Sequence, residues 1–137
     1  MISQDDAMAF FDACETGKGW EACKAYCAPG ATFKAQAEPL AEISTLEGYT
    51  DWMAGLFTPI PDGSYTLEAF AVDPERGRIV IYGVFNGSHT GEGGPVPATG
   101  QRTSSDYVYV IDSADGKITH MTKIWHAGWA MRELGWG

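Results

Sequence analysis

Apolar positions in the first 57 residues recur at spacings of three and four, and beyond residue 63 they alternate, so a helical front is followed by a β-patterned back. Ser3 is placed as an N-cap, Asp5 and Asp6 suit the positive end of a helix dipole, and Met8, Phe11 and Cys14 share a face, which predicts a helix to about Glu15. Gly17 and Gly19 close it. A shorter helix is predicted from Trp20 to about Cys27, stopped by Pro29-Gly30 before a short strand over Ala31-Thr32-Phe33-Lys34. Residues 35 to 44 show no period and are expected to form a surface loop, a candidate lid. Thr45 then caps a third helix whose Tyr49, Trp52, Met53, Leu56 and Phe57 make one aromatic stripe that must be buried. The run from Pro59 to Gly63 ends it.

Four strands are predicted at about 64 to 73, 78 to 90, 101 to 112 and 117 to 126. Their separators, Asp73-Pro74-Glu75-Arg76-Gly77, the Gly- and Pro-rich 91 to 100, and Asp112-Ser113-Ala114-Asp115-Gly116, carry turn chemistry. Strands joined this way form an antiparallel meander. The order predicts an α+β fold in which a curved antiparallel sheet wraps three N-terminal helices, leaving a cone with one open end and hence a pocket. No repeat, low-complexity segment or boundary interrupts residues 1 to 137, which read as one domain.

Composition narrows the partners. Nine basic against eighteen acidic residues give a net charge of −9, which repels nucleic acid and anionic membrane surfaces. No apolar run is long enough to span a bilayer, and the first residues lack the basic and apolar regions of a signal peptide, so a cytoplasmic location is expected. Cys14, Cys23 and Cys27 make an odd count that suits a reducing compartment. They read as buried small hydrophobes, with a three-thiolate metal site as the alternative. No histidine and carboxylate spacing supports a metal, and no Gly-rich fingerprint or nucleophile elbow occurs, so neither metal nor cofactor is expected.

The segment Gly87-Ser88-His89-Thr90-Gly91-Glu92, followed by Pro97-Ala98-Thr99-Gly100-Gln101-Arg102, resembles the signature half of the SnoaL-like polyketide cyclases, small proteins of the nuclear transport factor 2 superfamily. Leu46-Glu47-Gly48-Tyr49 with Trp52, Phe57 and Pro61-Asp62, an aspartate at Asp106, the turn from Asp115 to Ile118, and the tail Met131-Arg132-Glu133-Leu134-Gly135 extend the likeness. The resemblance implies a nuclear transport factor 2-like (cystatin-like) α+β barrel. It also implies general acid–base chemistry by an aspartate on the last strand, and a homodimer through the outer sheet face. The same cone carries isomerases, dehydratases, epoxide hydrolases and proteins that only bind. Counting back without gaps from Arg132-Glu133-Leu134-Gly135, the cyclase aspartate falls on Lys123 and a second family aspartate on His126.

Alternation puts Met121, Lys123 and Trp125 on one face of the last strand, the face the resemblance assigns to the pocket. A lysine there is desolvated and becomes a candidate base; alternatively it is ion-paired, with Asp106 as the expected partner. His89 is a candidate proton shuttle or an anchor for the 91 to 100 loop. Lys123, His89 and Asp106 form the candidate catalytic set, and Trp52, Met53, Phe57, Met121 and Trp125 the candidate ligand contacts; aromatics of this kind serve equally as core. Two functions remain open: a cofactor-free cyclase, isomerase or lyase acting on a small hydrophobic carbonyl compound, and a non-catalytic binding protein that has lost the cyclase aspartate.

Overall fold

A computed structural model describes all 137 residues. Helix α1 spans Gln4–Glu15, α2 Trp20–Cys23, α3 Leu46–Leu56 and α4 Ala127–Leu134; strands are β1 Cys27–Ala35, β2 Ser64–Asp73, β3 Arg78–Ser88, β4 Arg102–Ala114 and β5 Lys117–Trp125. The predicted caps are in place: Ser3 Oγ accepts from the Asp6 amide and Thr45 Oγ1 from the Gly48 amide, each satisfying an otherwise unpaired first-turn N–H.

The sheet order is β1-β5-β4-β3-β2, with β2 to β5 an antiparallel meander and β1 added in parallel beside β5. Strand β1 begins earlier than the sequence suggests and runs through Pro29 and Gly30. Its register slips between Cys27 and Thr32, and on an edge strand an irregularity of this kind accommodates a proline that has no N–H to give. The sheet curves around α1 and α3. Ala7, Phe10, Phe11 and Cys14 of α1 and Leu46, Tyr49 and Met53 of α3 pack into one core with Ile79, Ile81, Tyr107, Tyr109, Ile111 and Met121 of the sheet. Each large apolar side chain buried there contributes roughly 1.5–3 kcal/mol, so the concave face is the main source of hydrophobic stabilisation.

Residues 35 to 44 are tied to the core rather than free over the surface, and Pro39 reaches the wall of an internal cavity. A short 3₁₀ turn at Glu38–Leu40 seats Leu40 at 0% exposure in the core, and the Phe33 amide donates to the Ser44 carbonyl, tying the segment to β1. The open end of the cone is covered by α4, an element the strand and helix patterns do not predict. His126 Nδ1 accepts from the Trp129 amide at its start, and Gly135, at φ 75°, closes it in the left-handed conformation that a side chain disfavours. No helix is long and apolar enough to cross a membrane.

Candidate functional site

Between the sheet, α1, α3 and α4 lies a cavity of about 50 Å³, walled mainly by apolar and aromatic side chains. Trp52, Met53 and Leu56 come from α3, Phe85 from β3, Tyr107 from β4, Trp125 from β5, and Ala130, Met131 and Leu134 from α4. Its polar groups are Glu15, Thr103, Ser105, Tyr107 and Lys123.

Lys123 faces inward, as alternation requires with Met121 and Trp125 on the same side. It is 6% exposed. Its Nζ stands 4.4 Å from the Trp125 ring centre, 5.1 Å from that of Tyr49, 5.2 Å from that of Tyr107 and 6.0 Å from that of Trp52. These π faces supply partial compensation for a desolvated cation. Burial drives the Lys123 pKa down from 10.5 to about 8, against an opposing pull from the negative charge of Glu15. The ammonium makes one hydrogen bond, donating to Tyr49 Oη at 2.9 Å. Two of its three N–H bonds have no acceptor.

Glu15 is buried at the end of α1 and accepts a hydrogen bond from Tyr109 Oη, which in turn bonds Tyr49 Oη. Each phenol has one proton. Tyr109 spends its own on Glu15, so Tyr49 donates to Tyr109 and is free to accept from Lys123. Burial first, then the Glu15 charge, holds both phenols well above their ordinary range, and they stay protonated as donors. Tyr107 Oη also lies buried and has no hydrogen-bond partner.

The other expected site residues lie elsewhere. Asp106 is on the outer, solvent-facing side of β4 and accepts from Tyr82 Oη at 3.0 Å, so it does not meet Lys123. Adjacent residues of a strand face opposite ways, and Tyr107 faces in. His89 is fully buried but outside the cavity wall: its Nδ1 accepts from Trp136 Nε1 at 2.8 Å and its Nε2 bonds the Gly93 carbonyl at 3.1 Å. Those partners fix a neutral imidazole with its proton on Nε2, anchoring the 91 to 100 loop and Trp136, two residues beyond α4. Phe57 packs against Gly17, Gly63 and Phe85 rather than lining the cavity. Met121 is core beneath it. His126, the second aspartate position of the resemblance, caps α4. Trp52, Met53, Lys123 and Trp125 do meet at the cavity.

The three cysteines are free, and no cluster of three or more His, Cys, Asp or Glu side chains stands close enough to hold a metal. Burial pushes the Cys27 thiol up to about 12 and raises that of Cys14.

A curved, unclosed sheet wrapped on helices with an inward-facing polar network defines a protein of the nuclear transport factor 2-like class. The SnoaL-like polyketide cyclase model matches residues 5–134, and the chain belongs to that family. Among solved structures it is similar to IdmH, a proposed polyketide cyclase from Streptomyces antibioticus (TM-score 0.74, 19% identity, covering 96% of this chain and 96% of that one). AclR, a proposed hydroxylase from Streptomyces galilaeus, superimposes with a TM-score of 0.77 at 16% identity, over 98% of this chain and 85% of that one. An M. tuberculosis LEH-like epoxide hydrolase does so at 0.65 and 12% identity, over 95% and 86% of the two chains. At such identities the likeness establishes the fold. No curated protein gives a significant match.

Proposed function

We propose that this chain binds a small hydrophobic carbonyl compound in the cavity under α4 and moves a proton on it by general acid–base chemistry, using side chains alone. The observation that carries the reading is Lys123, buried among aromatic rings with two N–H bonds unspent and a pKa of about 8, close to the pH at which a proton carrier works best. The substrate oxygen accepts from the unpartnered Tyr107 hydroxyl. Lys123 in its amine form removes a proton from the carbon beside the carbonyl: the C–H bond breaks, an N–H bond forms, and the electron pair moves onto the oxygen. The same proton then returns to another carbon in an isomerisation, or to the alkoxide oxygen formed when the enolate closes a ring.

One observation favours the second reading, a binding protein without turnover. The cavity is about 50 Å³, against roughly 300–1,000 Å³ for most ligand sites. A substrate the size of a polyketide enters only if part of the wall, which includes α4 and Pro39, moves. Hydrogen–deuterium exchange beside the carbonyl of cyclohexanone and acetophenone, followed by NMR in D₂O, separates the two. Catalysis predicts exchange that falls by about 100-fold or more in Lys123→Met. Equal exchange in the variant refutes the role given to Lys123, and ligand-induced Trp125 fluorescence changes without exchange support the binder.

A further inference from the structure

Lys123 sits on β5, where the family resemblance places an acid–base carboxyl, and the only buried carboxyl of the chain is Glu15 on α1. We propose that Glu15 is the terminal proton acceptor and donor for Lys123, acting through the hydroxyls of Tyr109 and Tyr49. This rests on the acid–base reading of Lys123 and deepens it: the carboxyl stands on the first helix and works at a distance.

The geometry is a continuous chain of hydrogen bonds with one direction. Lys123 Nζ donates to Tyr49 Oη, Tyr49 to Tyr109 and Tyr109 to Glu15 Oε2. Its proton balance is closed. When Lys123 has taken a proton from the substrate, the ammonium passes one to Tyr49 Oη, Tyr49 passes its own to Tyr109, and Tyr109 passes its own to Glu15. Lys123 is left as an amine, Glu15 as a carboxylic acid, and both phenols are neutral again. Return runs the same path backward. It is the unbroken line of hydrogen bonds between Lys123 and Glu15. The titratable groups facing Lys123 are Glu15 and Cys14 from α1, Tyr49 from α3, and Tyr107 and Tyr109 from β4; β1 presents Phe33 and Ala35. Cys14 is held as a thiol by burial, and Tyr107 makes no hydrogen bond. Glu15 is a positioning residue by this account, since Tyr109 and Tyr49 lie between it and the ammonium.

The test is the titration of Lys123 itself, by NMR of protein carrying ¹³C-labelled lysine, in wild type, Glu15→Gln, Tyr109→Phe and the double variant. Glu15→Gln keeps the acceptor for Tyr109 and removes the charge, and the Lys123 midpoint is expected to fall by about one pH unit. A midpoint reports charge and not the path of the proton, so the relay is read from the rate of carbonyl hydrogen–deuterium exchange in the same variants: Tyr109→Phe is expected to slow exchange about 10-fold or more, and Glu15→Gln to slow it no further in that background. Losses that multiply in the double variant would show that Glu15 acts independently of Tyr109 and overturn the relay. If Glu15→Gln does not fold, Tyr109→Phe carries the test: it leaves the Lys123–Tyr49 hydrogen bond in place, and an unchanged exchange rate overturns the proposal. A wild-type midpoint near 10.5 would instead remove the acid–base reading of Lys123, so the two failures are distinguishable.

Discussion

Replacing Lys123 by methionine removes a buried titrating group while keeping a flexible, apolar side chain of similar length in the aromatic box, and the consequence for stability depends on pH in a way that can be worked out. In the unfolded chain the lysine titrates near 10.5; in the folded protein burial lowers this to about 8. Below pH 8 both states are protonated and the fold bears the whole cost of a desolvated ammonium. Between 8 and 10.5 the unfolded state holds the extra proton, so the stability of wild type relative to the variant rises with pH. The full difference is about 3 kcal/mol, of which about 1.4 kcal/mol is recovered between pH 7 and pH 9. Tyr49, Tyr109 and Cys27 act in the opposite sense, since their folded values are raised and their contribution is lost as pH climbs past 9 to 10. They are present in both proteins, and their effect cancels in the difference. Urea unfolding of wild type and Lys123→Met at pH 7, 8 and 9 measures it. Two stability profiles that run parallel across that interval would refute the claim that the Lys123 ammonium is desolvated in the fold.

Three further substitutions probe other parts of the frame. His89→Ala is expected to cost about 2 kcal/mol in thermal or urea unfolding, because it strands the Trp136 indole N–H and frees the 91 to 100 loop; the Lys123 titration should be unchanged. Gly83→Ala places a methyl 2.7 Å from Tyr107 Oη and 2.9 Å from its Cζ, so the phenol must move, at about 1–3 kcal/mol of stability. Ser3→Ala removes the α1 N-cap and should lower stability by about 1 kcal/mol, with no effect on carbonyl exchange.

The helix caps and the four-strand meander were legible because their chemistry is local: Ser3 and Thr45 cap where they stand, and turn residues separate the strands. Strand β1 was only half legible, since Pro29 and Gly30 stop most elements and are tolerated here by an edge and a register slip. Helix α4 carries no Ser, Thr, Asp or Asn at its start; His126 does that work, which is an unusual cap and a weak signal. Lys123 and its aromatic neighbours followed from alternation joined to the family likeness. Asp106 did not survive the same rule, because adjacent Tyr107 faces inward. Glu15 could have been found: Ala7, Phe11 and Glu15 are spaced by four and share the buried face of α1, but an acidic residue at a helix end ordinarily faces water.

The parallel pairing of β1 with β5 bears on how the protein is made. On one edge β1 meets the chain around Ser44 and Thr45 early, but on the other Phe33 has no partner until Met121 has been synthesised, a wait of several seconds at about 5–20 residues per second on the ribosome. For that interval this edge of β1 is unmatched in a crowded cell, the condition under which nascent chains pair with one another. Pro29, the register slip and the outward Lys34 make it a poor template for a stranger, so the irregularities that hide the start of this strand from a pattern reading also protect it while it waits.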